Sequence, residues 1–242
     1  MIENEPLVLA VDTASSCSSV ALVTGGVHGG TLLATLSLNS KVTHSRRLLT
    51  GIDWLLKESG VDFSEIDGLA VGLGPGSFTG LRIGMATMKG LATAVEKPLL
   101  GVSTLDGLAF NCSGNAPLCA LLDARKKEVY RRWYKKDSVG IYRPHGSIEA
   151  LSPDVFAAEI TEPCQLVGDG IMACGASLEG SVEKLIEVAP LPLHYINAAS
   201  IAFLCGEQLQ KNEVMDLDSA VPLYVRASDA ELSLLQKESS EQ

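Results

Sequence analysis

The sequence predicts an α/β protein of two lobes, and three observations carry that expectation. Short apolar runs bounded by glycine alternate with longer segments of helical periodicity. The 242 residues, 46% hydrophobic and 20% charged, suffice for one large domain or two ordinary ones with a real core. Three meandering strands followed by alternating helix and strand stand clearly in the first half, and the theme returns less clearly in the second.

Leu7–Val11, Ser19–Thr24 and Leu32–Leu38 read as the first three strands, with Gly25-Gly26 and Gly29-Gly30 marking a turn. His44–Ser59 has helical periodicity and stops at Gly60. A strand over Leu69–Leu73, a glycine run, a helix to Val95 and a short apolar strand after Pro98 complete the first unit. In the second half Leu118–Leu122, Val129–Tyr134 and part of Ile141–Ile148 read as strands. Ser152-Pro153 opens a helix, with serine as the cap and proline at the first helical position. Leu166–Val167 is a strand end before the Gly168-Asp169-Gly170 turn, and Ala198–Gln210 is an amphipathic helix. The stretch Asn111–Asn115 is the expected boundary between a lobe over 1–110 and one over 111–242, with helix 198–210 a candidate to pack back on the first lobe. Duplicated β-β-β-α-β-α units of this kind describe an actin-like, sugar-kinase-like topology.

A formal net charge of −10 argues against non-specific binding of nucleic acid or membrane by the whole surface. Met1-Ile2-Glu3-Asn4-Glu5 lacks the positive start of a secretory signal, and no apolar run reaches the length of a membrane span. Six scattered cysteines without a C-x-x-C pair read as buried free thiols in a reducing cytoplasm, and structural zinc is not expected.

The run Gly72-Leu73-Gly74-Pro75-Gly76-Ser77-Phe78-Thr79-Gly80-Leu81-Arg82-Ile83-Gly84 follows a strand and opens a helix capped by Ser77 or Thr79. Glycines at such a place let backbone N–H groups close on a phosphate or on another chain. No glycine pair is followed by the lysine of a Walker loop, and the i, i+2, i+5 dinucleotide spacing fails at Ser77 and Thr79. Pro75 removes one donor in the middle of the run. A tight turn without ligand, built on Gly74, Pro75, Gly76 and Gly80, therefore stands beside the nucleotide reading.

On a wheel of about 100° per residue, Leu81, Met85, Met88, Leu91, Ala92 and Val95 form a bulky face. Ile83, Ala86, Thr87, Gly90, Thr93 and Ala94 form the opposite face, nearly all small. A helix apolar or small all round is covered on both sides, and small residues let a neighbouring helix approach closely. In the first helix Leu48, Leu49, Ile52, Leu55 and Leu56 make a core stripe, while Trp54 falls off it beside Arg47, Gly51 and Glu58. Such a tryptophan is either an interface anchor or a residue resting on its own surface. Together the helices suggest a partner docking on the first lobe, and from the residues alone a homodimer.

Chemistry-bearing motifs are sparse. His44 has leucine at i+4, so a helical metal pair is broken, while His28, His145 and His194 stand alone in loop-like settings. Asp12 and Asp123, at strand ends, could hold a hydrated magnesium or merely cap turns. Residues 125–136 hold seven of the nineteen basic residues around Tyr130, Trp133 and Tyr134. They fit either a grip on looped RNA or a charged edge strand protected from aggregation.

Leu9-Ala10-Val11-Asp12-Thr13-Ala14, His44-Ser45-Arg46-Arg47-Leu48-Leu49, Gly74–Gly84, Asp123–Tyr130 and Pro222-Leu223-Tyr224-Val225-Arg226 resemble the TsaB (YeaZ) family over nearly the whole chain. The resemblance implies an actin/hexokinase/Hsp70-type fold and a bacterial cytoplasmic protein needed for threonylcarbamoyladenosine beside the tRNA anticodon. It implies docking on the transferase TsaD as a heterodimer, with the ATPase TsaE joining and TsaC supplying the threonylcarbamoyl adenylate. Contact with tRNA would be indirect, and a homodimer stays open as the state of the isolated chain. TsaD binds its metal with a histidine pair at i, i+4, and Leu48 breaks that pair here, so neither metal nor transfer chemistry carries over and no cofactor is expected. The rival class is a nucleotide-dependent kinase or ATPase of the same fold that acts alone through Asp12 and the glycine turns. A metallopeptidase lacks a ligand set in the sequence.

Overall fold

The computed structural model describes residues 5–39 and 44–226. The opening residues 1–4 and the side chain of His44 lie outside that description.

Strands β1 (Leu7–Asp12), β2 (Cys17–Gly26) and β3 (Gly29–Asn39) form an antiparallel meander. Helix α1 (His44–Ser59), strand β4 (Gly68–Gly72), helix α2 (Phe78–Val95), strand β5 (Leu99–Val102) and helix α3 (Thr104–Phe110) follow. The sheet order is β3-β2-β1-β4-β5, with β4 parallel to β1 and β5 parallel to β4. Strand β1 lies at its centre, so Val8–Val11 are buried on both faces and read as a continuous apolar run.

The second half repeats this plan. Strands β6 (Leu118–Arg125), β7 (Glu128–Lys136) and β8 (Tyr142–Leu151) are an antiparallel meander. Helix α4 (Pro153–Glu159), strand β9 (Cys164–Val167), helix α5 (Gly170–Cys174), strand β10 (Ile186–Val188) and helix α6 (Ala198–Gln210) complete it. Its order, β8-β7-β6-β9-β10, matches that of the first sheet strand for strand. The repeated unit is thus longer than β-β-β-α-β-α: each copy carries a fifth strand and a third helix. Helix α5 and strand β10 are only five and three residues long, too short for a periodicity to emerge from the sequence.

Local chemistry starts the helices where polar residues can take up orphan N–H groups. Ser77, Ser103, Ser152 and Asn197 each accept a backbone N–H within the first turn of α2, α3, α4 and α6. Helices α1 and α2 bury Leu48, Ile52, Leu55, Met85 and Met88 against Leu9, Val11, Val20 and Leu22 on one face of the first sheet. The third helix of each unit crosses over. Helix α6 packs on β1, β2, β4 and β5, and α3 packs on β6, β7 and β8. Each of these large aliphatic side chains contributes roughly 1.5–3 kcal/mol when fully buried. No helix among the described residues is long and apolar enough to cross a membrane.

Two expectations change here. Strand β7 is flanked by β6 and β8, so it is not an edge strand. Gly51 does not share the exposed side of Trp54: it is buried against the sheet, where a methyl group would come within 3.3 Å of Leu36.

Candidate functional site

The glycine run closes on its own fold. Ser77 donates its N–H to the Ala14 carbonyl at 2.6 Å, and Gly74 donates to Thr104 Oγ1 at 3.2 Å. The Gly74 carbonyl accepts from Ser103 Oγ at 2.9 Å and from the Thr104 N–H at 2.8 Å. Of the two possible caps, Ser77 holds the helix start, accepting the Gly80 N–H at 3.2 Å, and Pro75 follows a cis peptide bond. Closeness is what the glycines supply. A methyl group at Gly76 would overlap the Ala14 carbonyl oxygen, and one at Gly80 the Thr13 carbonyl oxygen. Thr13 Oγ1 in turn donates to the Gly80 carbonyl at 2.8 Å. The N–H groups of Gly74, Ser77 and Gly80, which a phosphate would draw on, already serve this turn.

Asp12 sits behind the turn, 1% exposed. It accepts the Ala14 N–H and the Thr104 hydroxyl, each at 2.8 Å. Burial raises its pKa from 3.8 to about 6, against the lowering effect of those two hydrogen bonds. Asp123 lies across the cleft between the lobes, accepting the Arg125 N–H at 2.7 Å and pairing with its guanidinium at 3.0 Å. Beside it Asp169 accepts the Asp123 N–H at 3.1 Å, and burial raises its pKa. The structure thus brings Asp123 to the cleft and keeps Asp12 within the first lobe. Among the described residues no three of His, Cys, Asp and Glu are grouped to share a metal ion. His194 is not isolated, since its Nδ1 accepts the Gly168 N–H at 2.9 Å, and His145 belongs to strand β8.

The basic, aromatic segment 125–136 is divided rather than gathered. Alternation along β7 sends Val129 and Trp133 to the core under α4 and α5, and Tyr130 and Tyr134 to the core under α3. Arg131 is buried and held by Glu159 at 2.8 Å and Glu149 at 3.1 Å, while Arg132 pairs with Asp106 at 3.1 Å. Arg125, Lys126 and Lys127 form the β6–β7 turn with left-handed φ of 62°, 51° and 63°. Four of the seven cations lie on β7, where Arg131 is buried and Arg132 and Lys136 are half-buried; Lys135 and the three turn residues are exposed.

On the outer face of the first lobe Trp54 is 50% exposed, and Leu49, expected in the core stripe with Leu48, Ile52, Leu55 and Leu56, is instead 55% exposed and outside the core. In α2, Ala86, Gly90, Thr93 and Ala94 are exposed and Ile83 and Thr87 half-buried. Helices α1 and α2 touch, so these residues lie on adjacent helices with nothing within 4 Å of where a Gly90 side chain would begin. Sequence reasoning missed the last described segment as part of a site. Leu223, Tyr224, Val225 and Arg226 line the cleft opposite Ala124, Arg125 and Tyr130, around a cavity of about 350 Å³. Its Pro-Leu-Tyr-Val-Arg composition was the available signal.

Two duplicated units, each with sheet order 3-2-1-4-5 and a third helix set against the other sheet, define a two-lobe protein of the actin/hexokinase/Hsp70 type. The profile of the family described as "TsaD: tRNA N6-adenosine threonylcarbamoyltransferase" matches residues 32–154. The chain is 38% identical over 151 residues to the tRNA threonylcarbamoyladenosine biosynthesis protein TsaB of Escherichia coli, a match covering 61% of this chain and 63% of that protein. It is 30% identical over 231 residues to TsaB of Haemophilus influenzae, covering 90% and 92%. The solved structure "YeaZ from Pseudomonas aeruginosa" superposes with a TM-score of 0.72 at 30% identity, covering 90% of this chain and all (100%) of that one. The chain belongs to the TsaB (YeaZ) family.

Proposed function

We propose that this protein is a non-catalytic partner subunit in the threonylcarbamoyladenosine modification of tRNA, docking on a TsaD-type transferase through α1 and α2. The names of its relatives supply the pathway. One observation carries the role: the open, small-residue face of α2, next to the helix that exposes Trp54, on a lobe whose glycine turn engages the Gly74, Ser77 and Gly80 donors internally. Trp54 serves as the anchor, and Ile83, Ala86, Thr87, Gly90 and Ala94 let a partner helix approach closely. TsaE would join the assembly and TsaC would supply the activated threonylcarbamoyl group. The bacterial TsaB relatives support a bacterial, cytoplasmic setting.

Reconstitution tests this reading. TsaC, TsaD and TsaE are assayed for tRNA modification with and without this chain. Activity that needs the chain, with none from the chain alone, is the expected result; ATP turnover by the chain alone would replace it with the kinase reading. Within the same assay Gly90→Arg, which meets no atom of its own fold within 4 Å of its first side-chain carbon, abolishes co-elution with TsaD. A Gly90→Arg chain that still co-elutes and supports full modification overturns the interface.

A further inference from the structure

Beyond α6 the chain turns back across the first lobe before it reaches the second. Met215 bridges β5, its N–H donating to the Leu99 carbonyl at 2.8 Å. Ala220 enters the core of the first lobe, and the Leu223 N–H donates to the Leu73 carbonyl at 2.8 Å, just past the end of β4. Lys89 of α2 reaches over the segment to the carbonyls of Asp218 and Ala220, at 3.4 and 3.2 Å.

From there the contacts change character. Tyr224 lies on Phe78 with ring centroids 5.1 Å apart, and its hydroxyl accepts from Arg82 Nε at 3.2 Å. The Arg82 guanidinium sits 3.9 Å over the same Phe78 ring, a cation–π contact that completes the stack. Arg226 then crosses the cleft and pairs with Glu128 of β7 at 2.7 Å. Glu128 faces Arg125 in the β6–β7 register, at the base of the turn whose three non-glycine residues take left-handed backbone. Strained turns of that kind persist only where surrounding contacts hold them.

We propose that residues 213–226 are a strap that runs along the mouth of the cleft and latches the second lobe to the first. The strap's two ends differ in strength. Its first half is held by backbone bonds and a core residue, its last three residues by side-chain contacts: the Tyr224 ring and hydroxyl on Phe78 and Arg82, Val225 against the core of the second lobe, and the half-exposed Arg226–Glu128 pair. Opening therefore begins at Arg226–Glu128 and proceeds to Tyr224. Because Arg82 and Lys89 both belong to α2, release of the strap also frees the flank of that helix on which they lie. The Leu223–Arg226 segment thereby forms one wall of the cavity of about 350 Å³ at the mouth of the cleft.

Spin labels at Glu58→Cys on the first lobe and Lys184→Cys on the second, with Cys112→Ser to silence the half-buried thiol, report the interlobe distance in the full chain. Arg226→Glu shifts the distribution to longer distance and broadens it, and Glu128→Arg does the same. Combining Glu128→Arg with Arg226→Glu restores the original distribution. Arg226→Gln, which removes attraction without adding repulsion, gives an intermediate broadening and serves if the reversal unfolds the chain. Unchanged distributions in Arg226→Glu, Arg226→Gln and Tyr224→Ala overturn the strap. Opening by the single reversals without recovery in the double variant overturns the latch pair.

Discussion

Asp12 shows how one carboxylate can be structurally necessary and energetically costly at once. Its two oxygens hold the Ala14 N–H and the Thr104 hydroxyl, and Thr104 passes the connection to Gly74. The end of β1, the start of α3 and the glycine turn thereby become one network. The charged form is disfavoured by burial, so the folded pKa of about 6 lies above the ordinary 3.8. A raised folded pKa contributes stability that is fully present below 3.8 and lost as pH rises through about 6. That gap corresponds to on the order of 3 kcal/mol, since each pH unit is worth about 1.4. Asp12→Asn keeps an acceptor for Ala14 and removes the charge. Its melting temperature relative to the unaltered chain should therefore be higher at pH 7.5 than at pH 4. Thermal unfolding at the two pH values checks this, and an equal effect at both would mean that Asp12 is not the buried charge described.

Helix α2 packs a tight face and an open one, and glycine marks both. At Gly80 a methyl group would meet the backbone carbonyl of Thr13, and at Gly84 it would come within 2.5 Å of Thr13 Oγ1; at Gly90 it meets nothing within 4 Å. Gly80→Ala should therefore cost about 1–3 kcal/mol, the usual range for overpacking. Gly90→Ala should gain about 0.5–1 kcal/mol, because an exposed helical glycine yields only backbone entropy. Denaturant midpoints at constant slope separate the two, and a neutral Gly80→Ala would undo the close-approach account of the run. The sequence exposed this two-sided pattern because helical periodicity is local: α1, α2 and α6 were legible from end to end. What it could not expose depends on distant partners. Asp12 meets Thr104 across 92 positions, and Arg131 finds Glu159 across 28. The basic segment read as one surface because adjacency in sequence conceals the alternation that splits it between two cores. Strand β10 stayed hidden since its three residues pair only with β9.

At the scale of the molecule the lobes are not independent, because each sheet is finished by a helix from the other unit. Val8, Ala10, Ala21, Val23, Ala70 and Leu100 of the first sheet share a core with Ala198, Ile201, Ala202 and Cys205 of α6. Ion pairs add to the exchange, Arg132 to Asp106 of α3 at 3.1 Å and Arg143 of β8 to Glu207 of α6 at 3.1 Å. Either half cut at 110 would lack the helix that covers its sheet, so we expect neither half to fold alone. Cutting the chain before Ala198 would expose Val8, Val23 and Leu100, each worth roughly 1.5–3 kcal/mol when buried. Their sum, with the smaller side chains beside them, approaches the whole net stability of about 5–15 kcal/mol for a domain. A fragment ending at Ile196 should thus give no cooperative unfolding transition, while addition of a peptide spanning 197–226 should restore one. A fragment 1–110 that melts cooperatively by itself would show instead that α6 merely rests on a finished lobe.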